Sequence, residues 1–214
     1  PVICVEGDAA CFAFLQRNIR QFEDATAHQV FLGERSETTS AVLEKVGWNT
    51  TIIPVGGAGH AEICLTSLDD FVGTIAEPSR YKVVKIDAEG FDMQILRGVT
   101  HYLSSVRPLL LFEYNPGDMT PIGEDGLGTL SHLEALGYTT ALVYDFNGRF
   151  MLAASLDQRD LLRHLHEYAD GANAAVIYYD LCVFHGDDEE LARSFIASEP
   201  AHRLECSWTA RGPS

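Results

Sequence analysis

Asp87 and Glu89 stand two residues apart at the end of the run Val83-Val84-Lys85-Ile86, and Asp92 follows within the next turn. Carboxylates so spaced suit three tasks: taking a proton from a hydroxyl, orienting a polar acceptor, or ligating a divalent cation through oxygen. A fourth acid, Glu6, closes the apolar run Val2-Ile3-Cys4-Val5 and precedes Gly7-Asp8. An acid at a strand end, before a turn and a helix, accepts hydrogen bonds from both hydroxyls of a ribose, each worth about 1.5–3 kcal/mol when the acceptor is charged. The plainer reading of Asp87 and Glu89 is complementation of the positive end of the following helix, worth about 0.3–1 kcal/mol. For Glu6 it is a solvated acid at a strand end.

These acids need elements to carry them. Val83 to Ile86 reads as a strand buried on both faces of a parallel sheet. From Gly90 the period changes, and Phe91, Ile95, Leu96, Val99 and Leu103 recur at three- and four-residue intervals, the stripe of a helix packed back on that sheet. Ligands of open α/β sheets bind beyond the carboxyl ends of the strands, which is where Asp87 and Glu89 fall. Val2 to Glu6 is a second strand of this kind, and Asp8 caps a helix whose apolar face is Phe12, Leu15, Ile19 and Phe22.

Lys85-Ile86-Asp87-Ala88-Glu89-Gly90, the acid Asp92, Leu96-Arg97-Gly98, and Arg107-Pro108 before an apolar strand ending in Glu113 together resemble the core of the FkbM-type methyltransferases. Leu15-Gln16-Arg17-Asn18 and Thr66-Ser67-Leu68-Asp69-Asp70 are similar to two further elements of that family. The resemblance implies an α/β protein with the class I methyltransferase Rossmann-like fold, a mostly parallel sheet with helices on both faces, and S-adenosylmethionine as cofactor. It implies O-methylation of a hydroxyl on a sugar or small natural product, with no resident metal. Asp87 and Glu89 are then the base and the acceptor-orienting group, in either order. Glu6, Glu34 and Asp87 face the cofactor, Glu34 as an acceptor for the adenine amino group in the loop after the third strand.

Two other classes stay open from the residues alone. Asp87, Glu89 and Asp92 are the acids that a metal-dependent enzyme would use, and a metal-binding assay discriminates that case. In a non-catalytic Rossmann-like module the same acids and Glu6 are surface charge, and a full-length version would bind S-adenosylmethionine weakly or not at all.

The rest of the chain sorts into elements with structural roles. Gln29 to Glu34 reads as the third strand, and residues 35 to 65 as a hairpin insertion. Gly56-Gly57-Ala58-Gly59 is a turn of that hairpin and not a phosphate loop, because strand-like Ala61 to Leu65 follows where a helix is required. Ser67 and Asp70 have the spacing of a helix cap. Leu109 to Glu113 is a buried strand ending in Glu113-Tyr114-Asn115-Pro116, polar groups at the same sheet edge. Then come a helix over 129–136 stopped by Gly137, a strand over 140–146, and a turn at Asn147-Gly148. A helix over 156–168 turns Leu161, Leu162 and Leu165 inward; His164 and His166 on it face different ways and make a poor metal pair. Residues 174 to 184 form the last strand, antiparallel beside the fifth, and the acids from 187 to 190 open a closing helix.

Composition narrows the partners. Fifteen basic against 31 acidic residues give a net charge of −16, which repels phosphate backbones and anionic membranes, so the expected partner is a small-molecule acceptor rather than nucleic acid or membrane. Five cysteines, odd in number and widely spaced, suggest neither a disulfide framework nor a zinc site, and a reducing cytoplasm is the expected compartment. The 214 residues suit one methyltransferase domain over 1–199 and a tail over 200–214. The first strand in hand already ends in the ribose-type acid, so the glycine-rich strand-turn-helix unit is expected upstream of Pro1. An N-terminally truncated sheet follows, with a gap between Val2–Glu6 and Val83–Asp87, and the isolated chain is expected to bind cofactor poorly.

Overall fold

The computed structural model describes residues 1–46, 49–54, 61–88, 90–170 and 175–209, with the backbone alone for 41–46, 49–54, 61, 121 and 200–209. The chain divides into two units, one of Pro1–Lys82 with Ala88–Val106 and one of Val83–Asp87 with Arg107–Ser214.

In the first unit Asp8 turns a strand into a helix. Its carboxylate accepts from the amides of Ala10 and Cys11 at 3.0 Å, satisfying two orphan donors where β1 (Val2–Glu6) gives way to α1 (Ala9–Ile19). Phe12, Leu15 and Ile19 are half-buried, whereas Phe22 lies past the helix end and is 59% exposed. β2 (Ala25–Gln29) returns parallel to β1, with Glu6 opposite Gln29. The single strand expected over 29–34 is therefore two strands. β2 ends at Gln29, Val30 donates to the Glu6 carbonyl at 3.1 Å, and β3 (Phe31–Gly33) joins a different sheet. That sheet holds the expected hairpin, β4 (Glu37–Val46) with β5 (Asn49–Pro54), and β6 (Ala61–Ser67) lies between β3 and β4. Gly56 to Gly59 lies outside the described residues. Ser67 caps α2 (Leu68–Gly73) by accepting the Asp70 amide at 3.1 Å, as the spacing predicts.

The apolar stripe from Phe91 to Leu103 is buried as expected, but on two helices, α3 (Asp92–Arg97) and α4 (Thr100–Val106). Asp69 explains the break. Its amide donates to the Gly98 carbonyl at 3.0 Å, and its carboxylate accepts from the amides of His101 and Tyr102 at 2.8 Å, capping α4 from outside the helix.

The second unit is built on one sheet in the order β10-β9-β11-β8-β7. β7 is Val83–Ile86 and β8 Leu109–Tyr114; α5 (Pro116–Ile122) and α6 (Gly126–Ala135) lead to β9 (Tyr138–Asp145). The turn at Asn147-Gly148, with Gly148 at a φ of 71°, carries β9 into β10 (Phe150–Ser155). After α7 (Arg159–Ala169), β11 (Tyr179–His185) enters antiparallel beside β8, as expected, and pairs with β9 on its other side. Side chains alternate across this sheet. Leu110, Phe112, Leu181 and Val183 fill the face where the Tyr114 and Tyr179 hydroxyls reach α7, and Leu142, Cys182 and Phe184 pack on Ala192 of α8 (Glu189–Thr209). Helices thus cover both faces. α8 runs past residue 200.

The sheets are mixed rather than mostly parallel: among the described residues β1 with β2, β3 with β6 and β7 with β8 are the parallel pairs. A hairpin insertion, the β9–β10 hairpin and a late antiparallel strand supply the antiparallel pairs. β7 departs from its expected burial on both faces, since Val83 is 60% exposed and only Ile86 is buried. It is an edge strand. Its sole pairing among the described residues is with β8.

Candidate functional site

Glu6 ends β1, and its Oε1 accepts the Asp8 amide at 2.7 Å. That bond fixes the carboxylate at the mouth of the strand-turn-helix corner. Gly7 is needed at the corner, because a Cβ there would stand 2.1 Å from the Phe31 ring. Strand, acid, turn and capped helix follow one another in the order that the sequence predicts.

Glu34 follows β3 and is engaged through one carboxylate oxygen, Oε2. Arg97, at the end of α3, places Nε 2.9 Å and Nη2 2.8 Å from Glu34 Oε2. The pair is partly sheltered, with side chains 25% and 37% exposed. Glu34 Oε1 lies 3.8 Å from Nη2 of Arg35, whose own side chain is 79% exposed. Behind the ion pair the backbone is tight, since a Cβ on Gly98 would lie 2.5 Å from the Gly33 carbonyl oxygen. Arg97 is a residue that periodicity had no means of assigning; its place in Leu96-Arg97-Gly98 was the available signal.

Asp92 is buried, 2% exposed, and its Oδ2 accepts the Ala88 amide at 3.3 Å. Among the described residues no group of three or more His, Cys, Asp or Glu is placed to hold a metal ion. Glu89 lies outside the described residues, and Gly90 beside it has a φ of 90°.

In the second unit Asp87 ends β7 with its side chain 57% exposed and forms an ion pair with Lys85, two residues earlier on the same face. In β11, Asp180 is opposite Glu113 of β8 on one side and Tyr144 of β9 on the other, so these groups line one row at the carboxyl edge of β7 and β8. Burial raises the Asp180 carboxyl above its usual range; the Asp87 charge adds to the rise and Lys85 opposes it. Glu113 accepts from Asn115 Nδ2 at 3.2 Å, and Asn115 Oδ1 caps α5 by accepting the Asp118 amide at 3.4 Å. On the opposite face, Tyr114 shares a 2.8 Å hydrogen bond with His166 Nδ1, which gives that histidine a structural partner.

Parallel strands that end in carboxylates and pass into helices define an α/β protein of the Rossmann-like kind. The chain belongs to the methyltransferase FkbM domain family, whose profile matches residues 20–140, more than half of its length. No curated protein matches it. A solved structure similar to it is the methyltransferase FkbM from Methylobacillus flagellatus KT, 18% identical, with a TM-score of 0.42 over 64% of this chain. The match covers 31% of that protein, so this chain spans about a third of its length.

Proposed function

We propose that the protein transfers a methyl group from S-adenosylmethionine to a hydroxyl of a sugar or small natural product. The observation that carries this reading is the family match over residues 20–140, a span that includes Glu34, Asp87 and Glu89. Glu6, just upstream, is the acceptor for the ribose hydroxyls, and its rotamer is already set by the Asp8 amide. Glu34 accepts from the adenine amino group. In these roles a carboxylate is worth more than any neutral acceptor, because a charged partner strengthens each hydrogen bond.

Methyl transfer to oxygen needs an in-line donor, a close acceptor and a destination for the acceptor proton. Asp87 and Glu89 share the last two tasks as base and orienting group, and Asp87 also faces the cofactor. Lys85 balances the Asp87 charge before the acceptor arrives. The sulfonium cofactor supplies the electrophilic methyl; the chain's own residues bind the nucleoside, orient the hydroxyl and take its proton. A small-molecule acceptor suits a chain whose net charge of −16 disfavours polyanions.

Calorimetry of S-adenosylhomocysteine binding to the full-length protein, with transfer of a labelled methyl group to a panel of sugars and hydroxylated natural products, tests the reading. Binding and transfer to a hydroxyl are expected. A full-length protein that binds neither S-adenosylmethionine nor its product would refute it.

A further inference from the structure

We propose that Arg97 is the positioning residue for the nucleoside end of the site, acting through Glu34 and resting on the assignment of Glu34 as adenine acceptor. Its Nε at 2.9 Å and its Nη2 at 2.8 Å lie against the same Glu34 carboxylate oxygen, Oε2. A fork held on one oxygen fixes the carboxylate and leaves Oε1 as the oxygen for a ligand donor. The neighbour of Oε1 is Arg35, at 3.8 Å and on a side chain that is 79% exposed.

A merely structural role for the pair explains less. The corner that carries Arg97 is already fastened to the Glu34 backbone without it: Gly98 lies against the Gly33 and Glu34 carbonyls, its own carbonyl accepts the Asp69 amide at 3.0 Å, and Asp69 caps α4 at 2.8 Å. A partly exposed ion pair adds little to stability on top of such a frame. What it does add is the ordering of two long side chains before any ligand arrives, and pre-ordering is returned as affinity. The sequence separation of 63 residues means that the resemblance motif Leu96-Arg97-Gly98 and the loop after β3 act as one device.

The test uses the full-length protein and two probes, S-adenosylhomocysteine and S-inosylhomocysteine, which differ in the exocyclic amino group that Glu34 is assigned to accept. Arg97→Ala is expected to weaken S-adenosylhomocysteine about three- to tenfold, the cost of ordering one rotamer-rich side chain. It should leave the inosyl probe unchanged and cause no further loss in a Glu34→Gln background. Arg97→Lys keeps the charge but not the fork, so it should recover only part of the affinity and provides a milder variant should the alanine form fail to fold. Equal losses for both probes, additive losses with Glu34→Gln, or wild-type affinity in Arg97→Ala would overturn the proposal. If the wild-type protein binds neither probe, the nucleoside reading itself fails. If it binds S-adenosylhomocysteine and Glu34→Gln does not weaken it, the Glu34 assignment fails and the role of Arg97 with it.

Discussion

Gly98→Ala should destabilise the first unit and disturb Glu34 in the same stroke. A Cβ at this position would meet the Gly33 carbonyl oxygen at 2.5 Å, the Glu34 carbonyl oxygen at 2.8 Å and the Glu34 carbonyl carbon at 3.1 Å. The nearest contact is about 0.9 Å inside the 3.4 Å at which ordinary contact begins, and all three atoms are backbone. No rotamer change relieves it. Overpacking of this kind costs about 1–3 kcal/mol. Alanine returns up to about 1 kcal/mol through the entropy of the unfolded chain, since Gly98 has a φ of −78° that alanine also adopts. The net loss is then up to about 3 kcal/mol, or up to about 12 °C in Tm for a chain of this size. Gly73→Ala is the matched control: nothing lies within 4 Å of its added Cβ, so it should be neutral or stabilising by up to about 1 kcal/mol. Urea titration with both variants, checking that the slope is unchanged, measures the difference. Equal midpoints for the two would show that α3 can lift from β3 at no cost, and the tight-corner argument would be wrong. Because relief of the clash must shift the Glu34 carbonyl, affinity for S-adenosylhomocysteine should fall alongside stability.

Glu6→Gln should weaken S-adenosylhomocysteine by about tenfold or more, the difference between a charged and a neutral acceptor, and unchanged calorimetric affinity would remove the ribose assignment. Asp87→Asn should depress methyl transfer while moving stability by less than about 0.5 kcal/mol, since it breaks only an exposed ion pair. The same variant should lower the Asp180 carboxyl pKa, read by NMR, because a neighbouring negative charge is gone. Tyr179 is pushed up to about 12 by burial, with Tyr168 adding to it. Its raised folded-state value means that its contribution to stability is complete below about pH 10 and is lost as pH rises toward 12. Tyr179→Phe should flatten that alkaline stretch of a stability-against-pH curve; an unaltered slope would place the loss elsewhere.

Elements announced by side chains were legible, and elements made by backbone pairing were not. Asp8, Ser67 and Asn147-Gly148 carry their own capping or turn chemistry, and each does in the fold what its type and spacing predict. The stripe from Phe91 to Leu103 was legible as a buried helical face. Its break at Gly98 was not, because the cap comes from Asp69, far away in sequence. β2 was missed for a related reason: Ala25-Thr26-Ala27-His28-Gln29 has no large apolar residue, and its strand character comes from pairing with β1. Val83 to Ile86 showed the opposite failure. Four β-branched or long residues in a row suggest burial on both faces, but burial is decided by neighbours, and an edge position leaves Val83 60% exposed.

The same distinction governs the candidate site. Strand-end position was legible from pattern, which located Glu6, Glu34 and Asp87 at the ends of strands or just beyond them. The partner of each acid was not, and the partner decides how firmly the acid is held. Glu6 is held by an amide two residues on, Asp87 by a lysine two residues back, and Glu34 by an arginine 63 residues away. A local amide fixes the Glu6 carboxylate without occupying both of its oxygens, which is compatible with the ribose contact proposed above. A flanking lysine on an exposed edge balances the charge of Asp87 yet yields readily to water or a ligand, which is compatible with the proton-accepting role proposed above. An arginine from a fastened corner holds one oxygen of Glu34 through two nitrogens, which is compatible with the adenine contact proposed above. Three acids, each at or just beyond a strand end, therefore differ in the stiffness of what holds them.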